Sequence, residues 1–220
     1  MTRNSHPSRV LGIMGVAAVA SALSALAALE VSPTGLSSVT SAVSQWALTS
    51  YAWGYRWFTI SLAIAGLAMA IQLWGWLPRG RLGVATALTL FALGRSIVSW
   101  VNMDAPGAAV TTRGQVHWIL GFVSFVSMIV AMFLAAKATR GSKRRGGVSV
   151  FCLILSVLTL SAVALFFGSV GVSALANVLG LFERAFYTTS ILWMGVMFVA
   201  VLSQRRWNSP VPLQKEGLPE

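Results

Sequence analysis

Six apolar stretches, each of 18 or more residues, constrain this chain more than anything else in its sequence. They run at about 10–29, 57–77, 82–101, 117–136, 148–167 and 185–202. At 1.5 Å of rise per residue, about 20 residues cross a hydrocarbon layer of about 30 Å. Lipid offers no water to backbone N–H and C=O groups, so a spanning segment must satisfy them internally, as a helix. None of the stretches alternates in the manner of a barrel strand. The fold class is therefore all-α: an integral membrane bundle of six transmembrane helices forming a single domain over 1–206. A disordered tail is expected over 207–220, where Pro210, Pro212, Gly217 and Pro219 accumulate.

Composition agrees. Hydrophobic residues make up 56% and charged residues 10% of the chain, against about 25% charged in a soluble domain. Such a chain cannot cover itself with a water-compatible surface, which excludes an ordinary cytosolic enzyme, a disordered protein and a secreted disulfide scaffold. The lone cysteine, Cys152, cannot form an intrachain disulfide.

The net charge of +11 would suggest nucleic acid in a soluble protein. Here no basic run alternates with stacking aromatics, and nucleic acid is not an expected partner. The cations instead sort by loop. Arg3, Arg9, Arg79, Arg81, Lys137, Arg140, Lys143, Arg144, Arg145, Arg205, Arg206 and Lys215 all fall on one side of the spans. Arg56, Arg95, Arg113 and Arg184 fall on the other side or near it, with Glu30, Asp104 and Glu183. Basic residues accumulate on cytoplasmic loops, so both termini are expected in the cytoplasm of a cell-membrane protein. Tryptophans mark both interfaces: Trp53, Trp57, Trp100 and Trp118 outside, Trp74, Trp76 and Trp207 inside. Trp193 lies deep in the sixth span.

The first span has a second reading. Arg3 and Arg9, an apolar run and Ala25-Leu26-Ala27 also describe a secretory signal peptide. Its apolar run of about 20 residues is longer than a usual signal core, which favours a retained helix. In the loop from Glu30 to Arg56, Leu36, Val39, Val43 and Trp46 fall at helical spacing. That spacing suits a short helix lying on the outer surface, and equally an irregular loop.

Ionisable groups inside a span are costly and are functional candidates by default. Arg95 lies about 10 Å below the outer end of the third span and shares a face with Ser99 and Asn102. His117 opens the fourth span, with Gly121 and Ser124 on its face. Glu183, Tyr187 and Ser190 repeat at i, i+4, i+7 on the sixth, and Arg184 points about 100° away from Glu183. Asp104 and Arg113 lie in the loop between the third and fourth spans. Three polar stripes in the outer half are cheapest turned toward one another, as a cluster or as a cavity open to the outer side.

Three readings of that cluster stand. One is a structural ion pair of Arg95 with Glu183 or Asp104. Another is a site for an anionic lipid headgroup or small anion, since guanidinium geometry matches phosphate and carboxylate. Its ligand-binding residues would be Arg95, Asp104, His117, Glu183, Arg184 and Tyr187. The third is a membrane-embedded hydrolase or transferase using His117 with Asp104 or Glu183. No HExxH or GxSxG motif accompanies it. A small-solute transporter is a further alternative, although the inner halves hold only uncharged polar groups: Gln72, Thr86, Thr89, Ser149 and Ser156. No resident cofactor or metal is expected. A bis-histidine haem lacks its second intramembrane histidine, and no lysine lies in a span for a retinal Schiff base. Gly66 with Ala70, and Gly121 with Ser124 and Ser127, read as close helix contacts.

Four local features resemble one family. They are the loop Ser38-Val39-Thr40-Ser41-Ala42-Val43-Ser44 before a Trp-led span, the turn Asn102-Met103-Asp104, the run Gly114-Gln115-Val116-His117, and Gly180-Leu181-Phe182-Glu183-Arg184 with Trp193 beyond it. Across about Val10 to Leu202 the chain resembles the bacterial and archaeal membrane proteins grouped as domain of unknown function 998. The resemblance implies a six-helix membrane protein and no known reaction. It marks Asp104, His117, Glu183 and Arg184 as recurrent polar positions. The chain departs from the family at Ser44-Gln45-Trp46-Ala47, where Ser-Asp-Leu-Gly is common.

Overall fold

A computed structural model of the chain describes residues 9–140, 146–171, 175 and 177–206. The expected tail at 207–220, Arg3, His6, Lys143, Arg144, Arg145, Trp207 and Lys215 lie outside the described residues. Six long helices form: α1 (Arg9–Glu30), α2 (Ala52–Trp76), α3 (Arg81–Val98), α4 (Thr112–Thr139), α5 (Gly146–Gly171) and α6 (Leu179–Arg206). All six are long and apolar enough to cross a membrane. Among the described residues there is no strand.

The helices overrun the apolar stretches. α2 starts at Ala52 instead of about 57, α4 at Thr112 instead of 117, and α6 at Leu179 instead of 185. Lipid thickness limits the apolar run and not the helix, which continues into the interface wherever its backbone keeps i to i−4 partners. α3 is the exception, ending at Val98 before a turn through Trp100 and Val101.

Each helix packs on the next in the chain, and α6 closes the bundle against α1 and α2. α2 is the most enclosed span. Small residues permit these approaches, as expected where lipid removes the hydrophobic drive between helices. Gly15 of α1 receives the Phe198 ring of α6, and Gly66 of α2 faces Phe91 and Ala92 of α3. Ser124 of α4 packs on Gly94 of α3. Gly121 does not make the close contact its spacing suggests: a Cβ there would meet nothing within 4 Å.

The interface tryptophans Trp53, Trp57, Trp100 and Trp118 are exposed at one end of the bundle, as is Trp74 near the other. Trp76 is buried and Trp193 fully so. The 31–51 connection departs from a surface helix. Its Val43–Leu48 segment is a 3-10 helix with Val43, Ser44, Trp46 and Ala47 buried. It packs on α2 and α6 and plugs one end of the bundle. Trp46 drives this, since at 2% exposure it removes a large indole from solvent.

Candidate functional site

The plugged end collects the buried side chains Arg95, His117 and Glu183. Arg95, in the last turn of α3, is 1% exposed. Its guanidinium carbon lies 5.2 Å from the Tyr187 ring centroid and 5.9 Å from that of Phe125. The Tyr55 hydroxyl of α2 stands against it as well. Ring faces attract the cation but leave its N–H donors unused, and Nε and Nη2 have no hydrogen-bond partner. The expected ion pair with Glu183 or Asp104 does not form. Among the described residues, the ion pair within 4 Å is Arg184 with Glu30.

Each carboxylate is committed elsewhere. Glu183, in the first turns of α6, accepts the Val43 N–H at 2.6 Å through one oxygen and the Tyr187 hydroxyl at 3.3 Å through the other. Val43 is the first residue of the 3-10 helix, so Glu183 satisfies an otherwise orphaned N–H at that helix start. Asp104 holds the α3–α4 turn. It accepts the Thr111 backbone N–H at 2.9 Å and the Thr111 hydroxyl at 2.6 Å, while Thr111 caps α4 by accepting from Gly114. These bonds hold the Asp104 carboxyl below its ordinary value of 3.8.

His117 bonds through Nδ1 to the Val101 carbonyl at 2.6 Å. A carbonyl only accepts, so Nδ1 carries the proton and Nε2 is left for the interior. Neither Asp104 nor Glu183 bonds to the imidazole, which is therefore oriented by backbone. Among the described residues, no three His, Cys, Asp or Glu side chains converge as a metal-ligand set.

Arg184 is a staple. Its Nε donates to Glu30 at 2.5 Å, and its Nη1 donates to the carbonyls of Ser41 at 2.8 Å and Gly180 at 3.0 Å. Its guanidinium also stacks 5.0 Å from the Trp46 centroid. One side chain thus joins the end of α1, the plug and the start of α6. Arg113 donates to the Trp100 carbonyl, and Arg56 lies over the Trp100 ring.

Beside Arg95 lies a cavity of about 560 Å³, within the usual range for small-molecule sites. Of the residues singled out from sequence, Arg95, His117, Glu183 and Tyr187 line it, whereas Asp104 and Arg184 do not. Gly121 borders it, which accounts for the open space at its Cα. Helical spacing does not single out Tyr55, which sits before the apolar run of α2. Nor does it single out an aromatic wall of Phe122, Phe125, Phe166 and Phe167, because a phenylalanine in a span carries no signal separating a cavity wall from a lipid-facing surface.

The chain belongs to the family described as protein of unknown function DUF998, whose model matches residues 16–200. No curated protein and no solved structure matches it.

Proposed function

We propose that this member of the DUF998 family is a multi-pass protein of the cell membrane that binds an anionic group, of a lipid headgroup or a small anion, in the cavity beside Arg95. The observation that carries this reading is a buried guanidinium with two nitrogens lacking acceptors and no carboxylate within 4 Å, bordering a cavity of ligand size. An unpaired buried charge costs several kcal/mol, roughly, and an entering anion removes that cost while gaining charge-assisted hydrogen bonds. His117 Nε2 and the Tyr55 hydroxyl supply further polar contacts.

Charge supports an orientation for this reading. Arg9, Arg79, Arg81, Lys137 and Arg140 flank the end opposite the plug, and cations favour the cytoplasmic side, which supports both termini inside and a cavity facing outward.

The hydrolase or transferase reading needs His117 oriented by a carboxylate, and both candidates are bonded elsewhere. The transporter reading needs a polar path to the other end, where Met69, Leu88, Met132, Met197 and Phe198 fill the interior at 0% exposure. Binding is therefore the better supported. Equilibrium titration of purified protein with labelled glycerol 3-phosphate tests it. Saturable binding weakened at least tenfold by Arg95→Gln is expected; equal binding by both proteins overturns the assignment.

A further inference from the structure

The wall of the cavity between α4 and α5 is one side chain thick. Trp118 and Phe122 of α4 and Val170 of α5 border the cavity, yet they are 39%, 51% and 56% exposed on the face the bundle turns to lipid. Phe167 lies between them, its ring centroid 5.3 Å from that of Phe122 and 6.4 Å from that of Trp118. Those contacts are ring against ring, and no hydrogen bond joins the two helices there among the described residues. Behind this seam sit Phe125 and Phe166, at 3% and 5% exposure, and behind them the Arg95 guanidinium over the Phe125 ring. An apolar passage therefore runs from the lipid face to a buried cation.

We infer that the cavity takes its ligand from the bilayer: an anionic lipid enters between α4 and α5, its headgroup meeting Arg95 and one acyl chain lying along Phe122, Phe166 and Phe167. This inference rests on the anion-binding reading of the same site and names its ligand class and its route. The chemistry is amphiphilic at both ends of the passage. The buried guanidinium has donors free for an anion. Apart from the Trp118 indole N–H, the seam offers only aromatic and aliphatic faces, so a chain already in lipid crosses it without desolvating. Gly121 keeps the passage open, since any larger side chain there would project into empty space.

The test uses the full chain in bilayer nanodiscs containing phosphatidylglycerol with a photoreactive diazirine on one acyl chain. Crosslinked residues are mapped by peptide mass spectrometry. Phe125 and Phe166 are shielded from bulk lipid, so labelling there reports a chain inside the passage. It is expected in the native protein, and it is expected to fall at least tenfold in Arg95→Gln and in Gly121→Leu. Labelling at the exposed Val157 and Leu158 of α5 serves as the internal reference. A diacylglycerol probe with the same chain and no anionic headgroup is expected to label the exposed positions alone. Gly121→Leu keeps every polar group and starts from a Cβ position with no atom within 4 Å, so the result does not depend on the folding of Arg95→Gln.

Labelling confined to exposed positions, or interior labelling unchanged in both variants, overturns the lateral route. If glycerol 3-phosphate still binds in an Arg95-dependent manner, the anion site stands and its ligand arrives from water. If that binding is absent too, both readings fall.

Discussion

The Arg95 guanidinium lies over the Tyr187 ring at 5.2 Å, while the hydroxyl of that ring donates away from it, to Glu183. Tyr187 thus keeps cation and carboxylate near each other without letting them pair. A structural ion pair and an empty anion site predict opposite responses to losing the cation. Breaking a buried pair costs about 3–5 kcal/mol because the partner is stranded. Removing an uncompensated charge relieves desolvation and forfeits cation–π attraction of about 1–2 kcal/mol. Arg95→Met is therefore expected to stay within about 1 kcal/mol of the native stability. Reversible unfolding in detergent, without added anion, measures it; a loss above about 3 kcal/mol restores the ion pair.

Arg184 tells the opposite story, because all its contacts are made within the chain. Arg184→Lys keeps the charge but cannot donate to Glu30 and two carbonyls in one plane. It is expected to cost about 1–3 kcal/mol and to speed protease cleavage in the 31–51 connection. Glu30→Gln should give a smaller loss, and the double variant less than the sum, since both lose the same pair. Strict additivity in the cycle would show that the bond contributes nothing.

Asp104 supplies a pH signature. Its folded value is depressed by the Thr111 hydroxyl and N–H, so its contribution to stability is present above its ordinary 3.8. That contribution is lost as pH falls through the folded value. The melting temperature should carry no Asp104 component between about pH 5 and 8 and should fall below about pH 4. Asp104→Asn should melt lower at neutral pH and lose that acid component. Parallel curves for the two proteins below pH 4 would show that Asp104 does not clamp the turn.

Two glycines of α4 should respond in opposite ways. A Cβ at Gly114 would clash with an Asp104 carboxylate oxygen, so Gly114→Ala must displace the turn and should destabilise by about 1–3 kcal/mol. At Gly121 the space is open, so Gly121→Ala should gain about 0.5–1 kcal/mol from helix propensity. Thermal unfolding of the two variants side by side decides, and a loss at Gly121 would mean that the cavity wall closes there.

The bundle was readable because apolar length and backbone satisfaction leave one answer. The polar cluster was readable from cost: Arg95, Glu183, His117 and Tyr187 could not face lipid, and the structure brings them together. Partners were not readable. The angle between Glu183 and Arg184 separates them, but only the fold of the 31–51 segment shows that Arg184 meets Glu30, Ser41 and Trp46. Periodicity in that segment leaves a surface helix and an irregular loop equally open, and neither shows that Trp46 and Val43 are driven inward or that the Val43 N–H is met by a carboxylate 140 residues away. Arg95 and Asp104 looked like partners because both are charged near one helix end; local capping by Thr111 satisfies the acid first.

The most direct test of the anion site is native mass spectrometry of the full chain extracted from its own membrane in mild detergent, beside Arg95→Gln and Gly121→Leu. A discrete anionic mass is expected on the native protein and is expected to be lost in both variants. Equal retention by all three proteins, or a bare native protein beside an Arg95→Gln variant that unfolds markedly earlier, would contradict it.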